Sequence, residues 1–132
     1  MSERGKIMNM EERIVMPCIP LRGLLIFPNT VLHFDVGREK SIKALEAAMN
    51  NDKILFVSSQ KDENILIPTR EDYYKVGTVI KIKQMLKIQG DTVRVLVEGL
   101  YRACIKEVVS EDPYITVDVE EIKSIDYPAE ET

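Results

Sequence analysis

Residues 76 to 97 constrain this chain more than any other stretch. Ile80, Ile82, Leu86 and Ile88 alternate with Lys81, Lys83, Met85 and Lys87. After Gly90-Asp91, Val93, Val95 and Val97 alternate with Arg94, Leu96 and Glu98. A period of two over this length belongs to half-buried strands, because successive strand side chains point to opposite faces. With a Gly-Asp turn between them, the two runs read as a long β-hairpin. A two-residue turn with Gly first then fixes the register. Ile88 faces Val93 and Leu86 faces Val95 toward the core, while Lys83 faces Glu98 and Met85 faces Leu96 on the other side. Met85 and Leu96 would be one apolar pair on a polar face. A longer turn would shift every pair.

The other elements are shorter. Ile14 to Leu21 reads as a strand interrupted by Pro17 and Pro20, which confine it to an edge or a bulge because each proline lacks a ladder donor. Thr30 to Val36 alternates and reads as a second strand. Arg38 to Met49 reads as the one main helix, with Ile42, Leu45, Ala48 and Met49 on its buried face. Ile54 to Val57 is a short apolar run and reads as a buried strand. Gln60 to Lys75 reads as loop. It contains the apolar island Ile65-Leu66-Ile67, a short helical turn through Tyr73 capped by Thr69 with Asp72 at the capping-box position, and Tyr73 and Tyr74 as anchors. Gly99 is expected to bend the chain before a strand from Tyr101 to Val109. A last strand, Tyr114 to Ile122, should turn Ile115, Val117 and Val119 inward. The expected fold is therefore mainly β, six or seven short strands in a closed or nearly closed barrel with one helix packed on it. Residues 13 to 122 form the domain, 1 to 12 a flexible tail, and 123 to 132 an acidic linker or truncated end.

Between the first two strands lies Gly23-Leu24-Leu25-Ile26-Phe27-Pro28. Four apolar residues between Gly and Pro are too few for a helix, and Pro28 holds Phe27 extended. Such a run either fills a core or forms a contact surface, and composition does not separate the two. Leu24, Leu25 and Phe27, together with Met85 and Leu96, are the apolar residues least explained by the core pattern. They are the candidate binding residues, and methionine suits varied partners because it adapts its shape.

Catalysis finds little support. There is one histidine, His33, and the two cysteines, Cys18 and Cys104, are far apart and read as free packed thiols. No zinc-ligand spacing, phosphate-binding loop or G-x-S-x-G nucleophile context occurs. The chain alone is expected to be neither an enzyme nor a holder of metal or cofactor. No run approaches the roughly 18 apolar residues of a membrane span, and the N-terminus lacks the apolar centre of a signal peptide. A cytoplasmic location without membrane contact is expected. Net charge is −4. Residues 75 to 106 nonetheless carry seven basic residues against two acids. An RNA-binding module using Lys81, Lys83, Lys87 and Arg94 is the alternative reading. It lacks an aromatic stacking platform, so nucleic acid is not the expected partner.

Three stretches carry a resemblance. Residues 19 to 45, Ile-Pro-Leu-Arg-Gly-Leu-Leu-Ile-Phe-Pro-Asn-Thr-Val-Leu-His-Phe-Asp-Val-Gly-Arg-Glu-Lys-Ser-Ile-Lys-Ala-Leu, closely resemble the opening of Lon, the ATP-dependent serine protease of bacteria and organelles. Tyr74-Lys75-Val76-Gly77-Thr78-Val79 and Thr92-Val93-Arg94-Val95-Leu96-Val97-Glu98-Gly99 fit the same domain in the same order. The resemblance implies a PUA-like β pseudo-barrel. It also implies a role in recognising unfolded or damaged protein substrates and in assembling a hexamer of Lon subunits. ATP, magnesium and the Ser–Lys chemistry would belong to motor and protease domains that this chain lacks. No catalytic residue carries over, and the resemblance does not choose the contact residues.

Overall fold

The computed structural model describes residues 14 to 122, so the expected tail at 1 to 12 and acidic end at 123 to 132 lie outside it. In chain order the elements are β1 (Ile14–Leu21), β2 (Val31–Val36), α1 (Glu39–Met49), β3 (Ile54–Ser59), β4 (Val76–Lys87), β5 (Val93–Ser110) and β6 (Ile115–Glu121). The sheet order is β2-β5-β4-β3-β1-β6, and β6 pairs again with β5. Five strands, β5-β4-β3-β1-β6, thus close a ring, and β2 stands outside it. One edge of the long β5 serves both neighbours in turn. Val93 to Glu98 pair with β2, and Ala103 to Ser110 pair with β6. The mainly-β, barrel-like fold with one helix is the one expected, with six strands among the described residues.

Burial follows the side-chain periods. β3 is covered on both faces: Leu55 and Val57 join the cluster under the helix, and Phe56 joins the cluster toward β6. Its continuous apolar run is what such a strand requires. α1 buries Ser41, Ala44, Leu45 and Ala48, with Ile42 and Met49 half-buried at the margins. The buried face is centred on small residues, which let the helix axis approach the sheet, while the fully buried Leu45 contributes about 2 kcal/mol by area. Ile115, Val117 and Val119 do point inward.

Several expectations fail for physical reasons. β1 is not an edge strand, because it lies between β3 and β6. Its pairings are divided, however. Ile14 to Cys18 pair with β6, Cys18 to Leu21 pair with β3, and only Cys18 has both partners. Each proline thus has one unpaired side to accept its missing donor.

The hairpin register is also different. Ile88 N donates to Thr92 O and Thr92 N to Gln89 O, both at 3.0 Å, so the loop holds Gln89, Gly90 and Asp91, with Gly90 at φ 59. Met85 therefore pairs with Val95, Leu86 with Arg94 and Gln84 with Leu96. A bulge between Ile82 and Gln84 then shifts the register again, so that Ile82 faces Val97 and Lys81 faces Glu98. The bulge exchanges the two faces of β4. Ile80 and Ile82 point inward, yet beyond the bulge it is Met85 that packs on the core, while Leu86 is 55% and Ile88 39% exposed. Lys83 still reaches Glu98, diagonally, at 3.2 Å.

Gly99 is not a bend between two strands either, since β5 runs through it unbroken. Around Thr69 there is a turn instead of a capped helix. Asp72 accepts hydrogen bonds from the Thr69 amide at 2.7 Å and hydroxyl at 3.0 Å. Tyr73 is 1% exposed and anchors the loop in the core, whereas Tyr74 is open to solvent.

Candidate functional site

The segment from Gly23 to Asn29 crosses one end of the ring without joining the sheet. Its ends are set by Gly23 at φ 62 and by Pro28 followed by Asn29 at φ 66. Its backbone groups still need partners, and residues far away in sequence supply them. Ser59 Oγ donates to Leu24 O at 3.0 Å, from β3. Thr78 Oγ1 donates to Ile26 O at 2.6 Å, from β4. Asn29 N donates to Gly99 O at 2.8 Å, on β5. Gly99 leaves room for the segment over β5, and Gly77 lets β4 approach β3 closely. A Cβ on Gly77 would lie 2.1 Å from Val57 O, and one on Gly99 would lie 2.2 Å from Phe27 O.

This stitching sorts the four apolar side chains. Ile26 is buried, Leu24 is half-buried against the core, and Leu25 and Phe27 are 66% and 54% exposed. The run is both core and surface. Leu25 and Phe27 border a groove of about 250 Å³ together with Tyr74, Val76 and Arg102. Tyr74 and Val76 are themselves exposed, and Lys61 Nζ stands 5.8 Å from the Tyr74 ring. Sequence reasoning missed both of these groove residues. Two adjacent tyrosines at the entrance to a strand are bound to face opposite ways, and that alternation was the available signal.

Met85 and Leu96 do not join this patch, nor each other. Met85 faces inward, beside Ile42 and Leu45 of α1, and lines a separate pocket with them. Leu96 is half-buried on the outer face of β5, between His33 and Gln84. A second apolar projection exists at Leu66 and Ile67, which border a pocket of about 430 Å³ with Pro20 and Ile115. Arg38 holds that loop down, donating to Gln60 Oε1 at 2.6 Å, Pro20 O at 2.7 Å and Leu66 O at 3.2 Å.

The basic residues of the hairpin are partly committed to acids. Arg94 makes a two-pronged pair with Asp35, at 2.8 and 3.1 Å, and this hydrogen bond holds the Asp35 carboxyl below its ordinary value. Lys83 is paired with Glu98. Among the described residues there is no group of three or more His, Cys, Asp or Glu that could hold a metal ion, and no helix long and apolar enough to cross a membrane. Burial pushes the Cys18 thiol far above its usual range, which makes it inert as a nucleophile.

The structure is a β ring crossed by an apolar segment with two exposed side chains, and comparison with known proteins identifies its family. Residues 15–132 match the family model of the ATP-dependent protease La (LON) substrate-binding domain. The chain is 51% identical over 119 residues to a Lon protease of Clostridium acetobutylicum, covering 90% of this chain and 15% of that protein. It is 52% identical over 107 residues to the Lon protease of Clostridioides difficile, covering 81% of this chain and 14% of that one. The fold resembles the N-terminal domain of a Mycobacterium avium complex Lon protease, with TM-score 0.67 at 20% identity over 89% of this chain and 59% of that one. It also resembles a Lon N-terminal domain protein from Xanthomonas campestris, with TM-score 0.63 at 13% identity over 83% of this chain and 60% of that one. The chain belongs to the Lon substrate-binding domain family. It spans about one seventh of the length of these curated relatives.

Proposed function

We propose that this domain recognises unfolded or damaged polypeptides for an ATP-dependent Lon-type serine protease and helps to assemble its subunits into a hexamer in the cytoplasm. ATP, magnesium and peptide-bond hydrolysis are supplied by parts of such a protease other than this chain. The contact site is the groove edged by Leu25 and Phe27. One observation carries the reading: two large apolar side chains are more than half exposed on a segment whose backbone is held on three strands. Exposed apolar side chains on a rigid support cost little entropy to engage, and they match what an unfolded chain presents and a folded one hides. Tyr74 and Val76 extend the same surface. Met85 is not part of it, and Leu96 lies on another face.

A patch this small gives weak binding, micromolar or poorer. Titration of a fluorescently labelled, reduced and carboxymethylated polypeptide with the wild-type domain and a Leu25→Asp/Phe27→Asp variant tests the assignment. The wild type binds and the variant loses most of its affinity. Equal binding by both would remove the groove as the site.

A further inference from the structure

We propose that the outer edge of β2 accepts an added strand from an extended polypeptide, so that the domain holds an unfolded chain by its backbone as well as by its side chains. This rests on the substrate-binding reading above and specifies how the substrate is held. β2 ends the sheet order, with β5 on one side and no strand on the other among the described residues. Gly99 N donates to Thr30 O at 2.9 Å, and the antiparallel register continues without a shift from Val31↔Glu98 to Val36↔Val93. Residues in such a ladder bond alternately to one side and the other. Leu32, Phe34 and Val36 therefore bond to β5, and the N–H and C=O groups of Val31, His33 and Asp35 face away from it. That is a row of alternating donors and acceptors at strand spacing, which only another extended backbone matches along its length.

Sheet edges normally carry guards against this, such as proline, lysine or a bulge. β1, across the groove, carries such guards on its unpaired sides. Pro17 and Pro20 remove donors, and Arg38 occupies the Pro20 carbonyl at 2.7 Å. β2, Val-Leu-His-Phe-Asp-Val, has no proline, no lysine and no bulge. Its edge opens on a groove of about 570 Å³ that runs from Phe34 and Asp35 across to Arg22 and the end of β1. Free extended backbone is also what an unfolded chain has and a folded protein lacks, whatever its sequence. An edge of this type therefore suits a binder that must accept many substrates.

Amide hydrogen exchange and a proline substitution test the proposal, with reduced and carboxymethylated lactalbumin as the probe. In the free domain the Val31, His33 and Asp35 amides exchange fast, and saturating probe slows them by roughly tenfold or more. His33→Pro removes an outward donor and none that β5 uses, so it weakens binding by about fivefold or more, whereas His33→Ala stays within about twofold of wild type. Circular dichroism checks that the proline variant folds. If it does not, the exchange result on the wild type decides. Amides that stay fast with probe bound would overturn the proposal, as would wild-type affinity in a folded His33→Pro variant. Protection already present in the free domain would also overturn it, because the edge would then be covered by this chain or by a second copy, which sedimentation distinguishes. Where probe binds but the edge signals fail, this inference alone falls. Where no binding occurs at all, the substrate-binding reading falls with it.

Discussion

The Cα of Gly99 lies so close beneath the carbonyl of Phe27 that an added Cβ would stand 2.2 Å from the oxygen. Both partners in that contact are backbone, so no side-chain rotation relieves it. Gly99→Ala must push the pinned segment off β5 or distort the strand. The expected loss is about 2 to 4 kcal/mol. Urea unfolding of wild type and variant measures it, and a loss under about 0.5 kcal/mol would mean that the segment does not rest on β5 as described.

The bulge between Ile82 and Gln84 makes opposite predictions for two adjacent residues. Met85→Asp places a charge against the α1 core and costs about 3 kcal/mol or more. Leu86→Asp, on the exposed face, stays within about 0.5 kcal/mol. Without the bulge the two effects would exchange places, so a pair of denaturation curves decides the geometry.

Alkaline pH should weaken the fold through two buried groups. Desolvation raises the Cys18 thiol above its ordinary 9.0 and the Tyr73 phenol above its ordinary 10.0. Folding favours the protonated forms, so their contribution is complete below those values. It is lost as pH rises past 9.0 and then 10.0 toward the raised folded values. In that window the folded state binds more protons than the unfolded one, and stability falls by up to about 1.4 kcal/mol per pH unit for each group. The Tyr73 hydroxyl is also buried without a hydrogen-bond partner. Tyr73→Phe is therefore expected to be neutral or stabilising at pH 7 and to flatten the alkaline decline. Urea midpoints between pH 7 and about pH 11 check both statements; a Tyr73→Phe curve as steep as wild type would contradict the second.

Much of the fold could be read from local patterns. Alternation located the strands, and the apolar spacing of α1 located the helix, because both depend on residues close in sequence. The β4 bulge left no mark, since adding one unpaired residue changes neither composition nor period on either side of it. One shifted turn and one bulge were enough to exchange Met85 with Leu86, and that sets Met85 against the α1 core. The prolines of β1 were read correctly as obstacles to pairing. What could not be read is that β1 changes partner at Cys18, which leaves each proline one free side. The candidate site was half legible. The run Leu24 to Phe27 was recognisable as unusual, but its division into buried and exposed side chains is made by Ser59, Thr78 and Gly99, which stand 35 or more positions away.

The three strands that hold the Gly23–Asn29 segment are β3 and the two arms of the β4–β5 hairpin. β3, β4 and β5 must all be in place before Leu24 O, Ile26 O and Asn29 N have partners. The exposed pair Leu25 and Phe27 therefore takes its final shape only after the rest of the ring has formed. A nascent or damaged copy of this domain lacks the finished segment, so the outward display of Leu25 and Phe27 doubles as a report that the domain's own folding is complete.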